Sequence, residues 1–413
     1  MSVKKLPVSD EQMLAFANDY ETPFYLYDEQ AIRAQARAFT AAFDWVDGFK
    51  NYFAIKACPN PEIVKILKEE GFGADCSSLP ELILAQQAGL SGEEIMFTSN
   101  DTPDEEFEAA YAMGAVINLD DITHIESLNR VTGIPELISF RYNPGPGRTG
   151  NAIIGNPVEA KYGVTTSQLI PSYRRAKELG AKRFALHTMV ASNELEATYI
   201  VETARMLFSQ AIRIYQETGI RLEFINMGGG IGIPYHPDQK AVDLEWVSAK
   251  IKKLYEAMIV PAGLAPLRIV FECGRMVTGP FGYLVTKVRH VTQKYKKYVG
   301  LDASMANLMR PALYGAYHHI TVVGKKSQPQ DELYDVTGSL CENNDKFAID
   351  RQLPAVVPGD VLVIHDAGAH GHAMGFNYNA KLRSAEYLLQ EDNSLRMIRR
   401  AETMDDLFAT LKF

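Results

Sequence analysis

The chain predicts an α/β protein, a (β/α)8 barrel of the TIM type followed by an antiparallel β domain, and three observations carry that expectation. Short β-rich runs alternate with amphipathic helical stretches eight times within about 250 residues, the pattern of a parallel sheet closed on itself. Beyond about residue 280 the apolar period becomes two, with Gly, Pro and Asp between the runs, as antiparallel strands require. A chain of 413 residues, 46% hydrophobic and 23% charged, also exceeds what one core of ordinary domain size holds. The expected division is a barrel over 29–279 and a β domain built from 1–28 and 280–413.

Barrel strands are expected at 50–56, 72–76, 95–99, 115–119, 137–143, 183–187, 222–227 and 268–273. Between them Pro61–Glu70, Leu79–Ala88, Asp104–Met113 and Glu196–Glu217 repeat their apolar positions at helical spacing. In the β domain the period-two runs are Tyr283–Val288, Ile320–Val323 and Val361–His365. The stretch Thr22–Asp28 also reads as a strand, placed to join that later sheet.

Lys and Arg number 42 against 51 Asp and Glu, a net charge of −9 with the signs interspersed and no basic stripe. Nucleic acid is therefore not an expected partner, and small polar metabolites are. Cys58, Cys76, Cys273 and Cys341 are too scattered for a C-x-x-C metal or redox motif and too few for a disulfide scaffold, so they are expected as reduced thiols. The segment Met1–Asp10 lacks the apolar core of a signal peptide, and no apolar run approaches membrane-spanning length. The expected location is the cytoplasm.

Lys56 ends the apolar run Asn51-Tyr-Phe-Ala-Ile55, where a desolvated amine can lose its proton and form a Schiff base with a carbonyl group. A lysine snorkelling from a strand end is the ordinary alternative. In barrels of this kind chemistry sits at the carboxyl ends of the strands, with phosphate often bound after the seventh and eighth. Gly228, Gly229 and Gly230 follow the seventh expected strand, and consecutive glycines let backbone N–H groups approach an anion. A tight turn would use the same residues. Glu272-Cys-Gly-Arg275 closes the eighth strand, where a carboxylate can keep a pyridine nitrogen protonated, unless Glu272 and Arg275 simply pair with each other.

Several motifs in order resemble those of the fold-type III pyridoxal-phosphate enzymes, and among them the diaminopimelate decarboxylases. They are Tyr52-Phe-Ala-Ile-Lys56 with Asn60, Gly73-Ala-Asp75-Cys-Ser-Ser78 with Glu81, Gly228-Gly-Gly230, Glu272-Cys-Gly274-Arg275, Arg310-Pro-Ala-Leu-Tyr314, Cys341-Glu342-Asn-Asn-Asp345 and Gly375-Phe-Asn-Tyr378-Asn379. The resemblance implies an alanine racemase-like barrel with an appended β domain. It also implies a head-to-tail homodimer whose active sites take residues from both subunits. Pyridoxal 5'-phosphate would be the cofactor, carried by Lys56, with Asp75, Ser192, Gly228, Gly229, Gly230, Glu272, Gly274, Arg275, His370 and Tyr378 around it.

By the same resemblance Glu272 keeps the ring nitrogen charged, which favours decarboxylation, whereas the related alanine racemases use an arginine there. Cys341 matches the family's proton donor to Cα, contributed by the partner subunit. Its acidic neighbours Glu342 and Asp345 argue against a buried structural thiol. Arg275, Arg310, Tyr314, Glu342 and Tyr378 match the residues that hold substrate, and two arginines suit a substrate with two carboxylates. The implied reaction is decarboxylation of meso-2,6-diaminopimelate to L-lysine and carbon dioxide, in lysine biosynthesis. A related decarboxylase acting on D-lysine, D-ornithine or another amino acid is the near alternative.

Two positions depart from the family pattern. Met189 stands where relatives have the histidine that stacks on the pyridine face, within His187-Thr-Met-Val-Ala-Ser192. His370 replaces a tyrosine directed at the phosphate, and an imidazole can donate the same hydrogen bond. The run His365-Asp-Ala-Gly-Ala-His-Gly-His372 supplies a rival from another class of chemistry. It would be a metal-dependent barrel hydrolase with Asp366, His370 and His372 as ligands.

Overall fold

The computed structural model describes residues 4–150 and 153–412. Residues 1–3 and 413, assigned by sequence to the β domain, lie outside the described residues, as do 151 and 152. Two compact units are present. One comprises Arg33–Ile233 and Ala241–Met276; the other comprises Met1–Ile32, Pro234–Lys240 and Val277–Phe413.

Strand β1 (Phe24–Asp28) belongs to the second unit. The first unit holds β2 (Lys50–Ala54), β3 (Gly73–Cys76), β4 (Ile95–Phe97), β5 (Val116–Leu119), β6 (Leu137–Tyr142), β7 (Arg183–Thr188), β8 (Phe224–Asn226) and β9 (Arg268–Phe271). They close in sequence order into a parallel barrel, with β9 pairing back onto β2. All eight expected strands form. Nearly every strand residue is buried, because a barrel strand faces helices on one side and the packed interior on the other. That double burial is why the strands read as continuous apolar runs.

Period two along the strands sets the interior in layers. Tyr52, Met96, Val116, Leu137, Ala185, Phe224 and Val270 form an apolar layer. Two residues further along the same strands stand Ala54, Thr98, Asn118, Ser139, His187, Asn226 and Glu272, with Asp75 level with Ala54. All are buried, and the interior turns polar in a single step. Barrel chemistry is built on that second layer.

The helices between strands start where the sequence supplies caps. Asn60 accepts from the backbone N–H of Glu62 and Pro61 opens the helix Pro61–Glu69, which buries Ile63, Val64, Ile66 and Leu67. Asn60 therefore has a structural task inside a motif read for chemistry. Phe39, Phe43 and Phe49 cluster on Phe271 with ring centroids 5.3–6.1 Å from it, which fixes the helix Glu29–Ala42 against β9.

In the second unit the strands are β10 (Gly282–Gln293), β11 (Lys297–Leu301), β12 (Ile320–Val322), β13 (Glu332–Thr337), β14 (Lys346–Leu353), β15 (Val361–Ile364), β16 (Ala385–Leu389) and β17 (Leu395–Arg399). With β1 they form one nine-stranded sheet in the order β14-β13-β11-β10-β1-β16-β17, with β15 pairing β10 and β12. The early strand does join the later sheet. The pairings are antiparallel except β1 with β16 and β11 with β13, so the sheet is mixed. Its core gathers Phe24, Leu26, Val285, Val363, Tyr387 and Leu389 against Met13 and Phe16 of the helix Asp10–Asp19. Among the described residues no helix is long and apolar enough to cross a membrane.

Candidate active site

Lys56 stands just past β2, on the 3-10 turn Ile55–Ala57, so the expected strand stops earlier and the turn aims the amine off the strand end. Its Nζ lies 2.9 Å from Oδ2 of the fully buried Asp75, brought there by the register Ala54↔Asp75. The side chain is half exposed; partial desolvation of the amine works against the ammonium, but the charges of Asp75 and Glu272 outweigh it and hold Lys56 above the ordinary lysine range. The expectation that desolvation frees this amine of its proton is therefore corrected. Asp75 in turn is raised, first by burial and then by the like charge of Glu272, against the pull of Lys56.

Glu272 does not pair with Arg275. Its Oε1 accepts from Asn226 Nδ2 at 2.6 Å, and its Oε2 lies 3.0 Å from His187 Nε2, off the line of a straight hydrogen bond. Burial raises this carboxyl, but the charge of the nearby His187, then the charge of Lys56 and the Asn226 hydrogen bond, outweigh it and hold Glu272 below the ordinary range. Asn226 also accepts from the Gly228 N–H at 2.9 Å, joining the carboxylate to the start of the glycine run. Sequence reading treated His187 only as part of a motif and did not find Asn226. The available signal was their position two residues beyond the apolar layer on neighbouring strands.

The glycines are demanded by close backbone approach. A Cβ at Gly228 would meet Thr188 O at 2.2 Å, one at Gly229 would meet Glu272 O at 2.6 Å, and one at Gly230 would meet Ala191 O at 2.3 Å. Gly228 and Gly230 also have φ of 69° and 98°. Among the described residues the N–H groups of Gly229, Gly230 and Gly274 donate to no protein acceptor, which leaves them available to an anion. Arg275 reaches Ser192 Oγ at 3.5 Å.

A cavity of about 500 Å³ is lined by Lys56, Asp75, Arg141, Met189, Ser192 and Glu272, among others. Sequence reading missed Arg141, which is buried, donates to Asp120 at 2.7 Å and to Asn100, and stacks on Tyr162 at 4.4 Å. A larger cavity of about 950 Å³ shares Tyr162 in its wall. Its acidic groups Asp120 and Asp121 are taken up by Arg141 and by Thr123, so the smaller cavity is where the amine of Lys56 meets the carboxylates of Asp75 and Glu272.

The remaining expected site residues belong to the β unit. Arg310 opens the helix Arg310–Tyr314 and is buried, its Cζ 5.0 Å from the Tyr235 ring centroid and 5.9 Å from that of Tyr314. Cys341 is exposed, its Sγ 3.4 Å from Tyr378 Oη. Asn379 Oδ1 accepts from the Cys341 N–H at 2.8 Å, and Asp345 accepts from the N–H groups of Leu340 and Met305 at 2.8 and 2.6 Å. The contacts with Tyr378 and Asn379 lower the thiol below the ordinary range. Tyr314, Glu342 and Tyr378 are exposed, and His370 holds a left-handed backbone with φ of 54°.

Two of the three side chains named as metal ligands, Asp366 and His372, have protein partners. Asp366 pairs with Lys4 at 2.8 Å, while His372 Nε2 donates to Ser384 O at 3.0 Å and its Nδ1 lies 2.8 Å from Arg383. Among the described residues no three His, Cys, Asp or Glu side chains gather as metal ligands.

The sequence profile described as "Pyridoxal-dependent decarboxylase, pyridoxal binding domain" matches residues 29–279. The chain belongs to the pyridoxal-dependent decarboxylases. This decarboxylase is 43% identical to protein TabA of Pseudomonas amygdali pv. tabaci, over 97% of its own length and 92% of TabA's. It is 35% identical to the diaminopimelate decarboxylase of Methanothermobacter thermautotrophicus, over 97% and 94% of the two chains. The M. jannaschii diaminopimelate decarboxylase solved with L-lysine superposes with a TM-score of 0.89 at 29% identity, covering 97% and 94%. The decarboxylase uses pyridoxal phosphate, and the groups of its barrel fit that cofactor. A primary amine suits the aldehyde, an ionised buried carboxylate suits a basic ring nitrogen, and free amides beside Ser192 and Arg275 suit a phosphate.

Proposed function

We propose that this enzyme decarboxylates meso-2,6-diaminopimelate at its D-centre, giving L-lysine and carbon dioxide as a step of lysine biosynthesis in the cytoplasm. The observation that carries the decarboxylation chemistry is the placement of Glu272, buried with Oε1 on Asn226 Nδ2 and Oε2 3.0 Å from His187 Nε2. Whole-length similarity to a diaminopimelate decarboxylase supports the substrate, together with Arg275 and Arg310 as two carboxylate-binding arginines.

Lys56 would hold pyridoxal phosphate until a substrate amine displaces it, with Asp75 orienting and charging the amine beforehand. When bound, the cofactor supplies an aldehyde that condenses with an amine and a charged ring that takes up electrons from a breaking Cα–carboxylate bond. Gly228, Gly229, Gly230 and Gly274 would receive the phosphate, with Ser192, Arg275, His370 and Tyr378. Glu272 would keep the ring nitrogen protonated. Cys341 Sγ would deliver the proton to Cα after carbon dioxide leaves, and its lowered thiol is compatible with acid–base work near neutral pH. Arg310, Tyr314 and Glu342 would hold the distal end of the substrate, Glu342 taking its ammonium. We place Cys341, Glu342 and Tyr378 in the site of a second copy of the chain, so that the working form is a homodimer.

A second reading, a decarboxylase for D-lysine, D-ornithine or another amino acid, is favoured by two observations. The relative at 43% identity bears no diaminopimelate name, and Met189 lines the cavity at a position where the family resemblance implies a histidine. Measuring kcat/KM for meso-diaminopimelate, D-lysine and D-ornithine decides between them. Preference for the dicarboxylate supports the first reading, and preference for either monocarboxylate discards it.

A further inference from the structure

We propose that His187 is a positioning residue for Glu272, holding that carboxylate ionised and in one orientation so that its charge serves the cofactor's ring nitrogen. The inference rests on the reading of Glu272 given above. A carboxylate 6% exposed neutralises unless charge and hydrogen bonds hold it. The titratable groups that face Glu272 are Lys56, Asp75, His187, Tyr52 and Cys273, and burial raises the last two so that they stay neutral. Asp75 is a like charge and opposes ionisation. Lys56 is already held by Asp75 at 2.9 Å, and it is the amine that must bond to the cofactor and then leave it. Asn226 fixes Oε1 at 2.6 Å but brings no charge.

That leaves His187, whose Nε2 lies 3.0 Å from Oε2, as the group able to answer the carboxylate throughout the reaction. The ring is 1% exposed, and its strand register sets it opposite Arg141 on one side and Asn226 on the other. Its Nδ1 has no protein partner among the described residues, so no neighbouring side chain draws the imidazole away from Glu272. One layer below, the same strand carries Ala185, so the barrel interior admits a small side chain on this strand.

The test is ¹⁵N NMR of the holoenzyme loaded with pyridoxal phosphate labelled at the ring nitrogen, titrated with pH, for wild type, His187→Gln, His187→Phe and Glu272→Gln. Wild type should lose the ring-nitrogen proton only toward the alkaline end of its stable range. His187→Phe should lose that proton at a pH lower by about one to three units, and His187→Gln, which keeps a donor near Nε2, should fall between. Glu272→Gln should lose it at still lower pH. If Glu272→Gln shifts the titration and His187→Phe leaves it at the wild-type position, His187 only fills space and this inference is overturned. If Glu272→Gln also leaves it unmoved, the role of Glu272 falls together with that of His187. Should the Phe variant not fold, the Gln variant alone decides: a wild-type titration contradicts the proposal.

Discussion

The ammonium of Lys56 and the carboxylate of Asp75 sit 2.9 Å apart, and the charge of Asp75 is the largest of the three acidic contributions, with Glu272 and Glu81, that raise the lysine. Because that acid stabilises the protonated amine, Asp75→Asn should let Lys56 shed its proton at lower pH. Uptake of pyridoxal phosphate by the apoenzyme should then begin at lower pH than in wild type, and an unchanged rate–pH curve would refute the pairing. Cys341 carries the opposite sign: its thiol is lowered, so thiolate is present at lower pH than for an ordinary cysteine. Alkylation of Cys341 by iodoacetamide, followed by peptide mass, should rise at correspondingly lower pH, and Tyr378→Phe should move the curve back up. Cys341→Ala should slow turnover by roughly 10²–10⁴-fold while the cofactor stays bound. Wild-type turnover would show that another group protonates Cα. The chemical types of these residues were legible in the sequence, but the charge on Lys56 was not. It depends on an acid 19 positions away in the chain, delivered by strand register.

Between strands and loops, the glycine run gives a sharp expectation. Gly230→Ala places a Cβ 2.3 Å from Ala191 O at a φ of 98°, a conformation that costs about 1–3 kcal/mol for a residue with a side chain. Its melting temperature should drop and its affinity for pyridoxal phosphate should weaken together. Asn60→Ala, by contrast, removes a helix cap and should cost about 1 kcal/mol, with kcat/KM little changed; a collapse in activity would give Asn60 a chemical role. The eight barrel strands could be read because burial on both faces makes them apolar throughout, and the helices because caps and 3.6-residue spacing are local. The parallel pairs β1 with β16 and β11 with β13 could not be read, since strands distant in sequence carry no local mark of their direction of pairing. Asp75 and Glu272 were legible one by one, but their sharing of a polar layer with His187 and Asn226 was hidden for a similar reason: its members become neighbours only when the barrel closes.

For the molecule as a whole, the proposed division of labour between two copies predicts complementation. Lys56→Ala and Cys341→Ala, each close to inactive alone, should recover about a quarter of wild-type activity when dissociated and reassociated as an equimolar mixture, because half the dimers then hold one intact site of two. No recovery, in material shown to exchange subunits, would place both residues in the same subunit's site. The chemistry depends above all on where the cofactor is attached. Borohydride reduction of the purified enzyme after incubation with pyridoxal phosphate, followed by proteolysis and mass spectrometry, should find the pyridoxyl group on the peptide containing Lys56 and leave Lys56→Ala unlabelled. Labelling of a different lysine, or none at all, would contradict it.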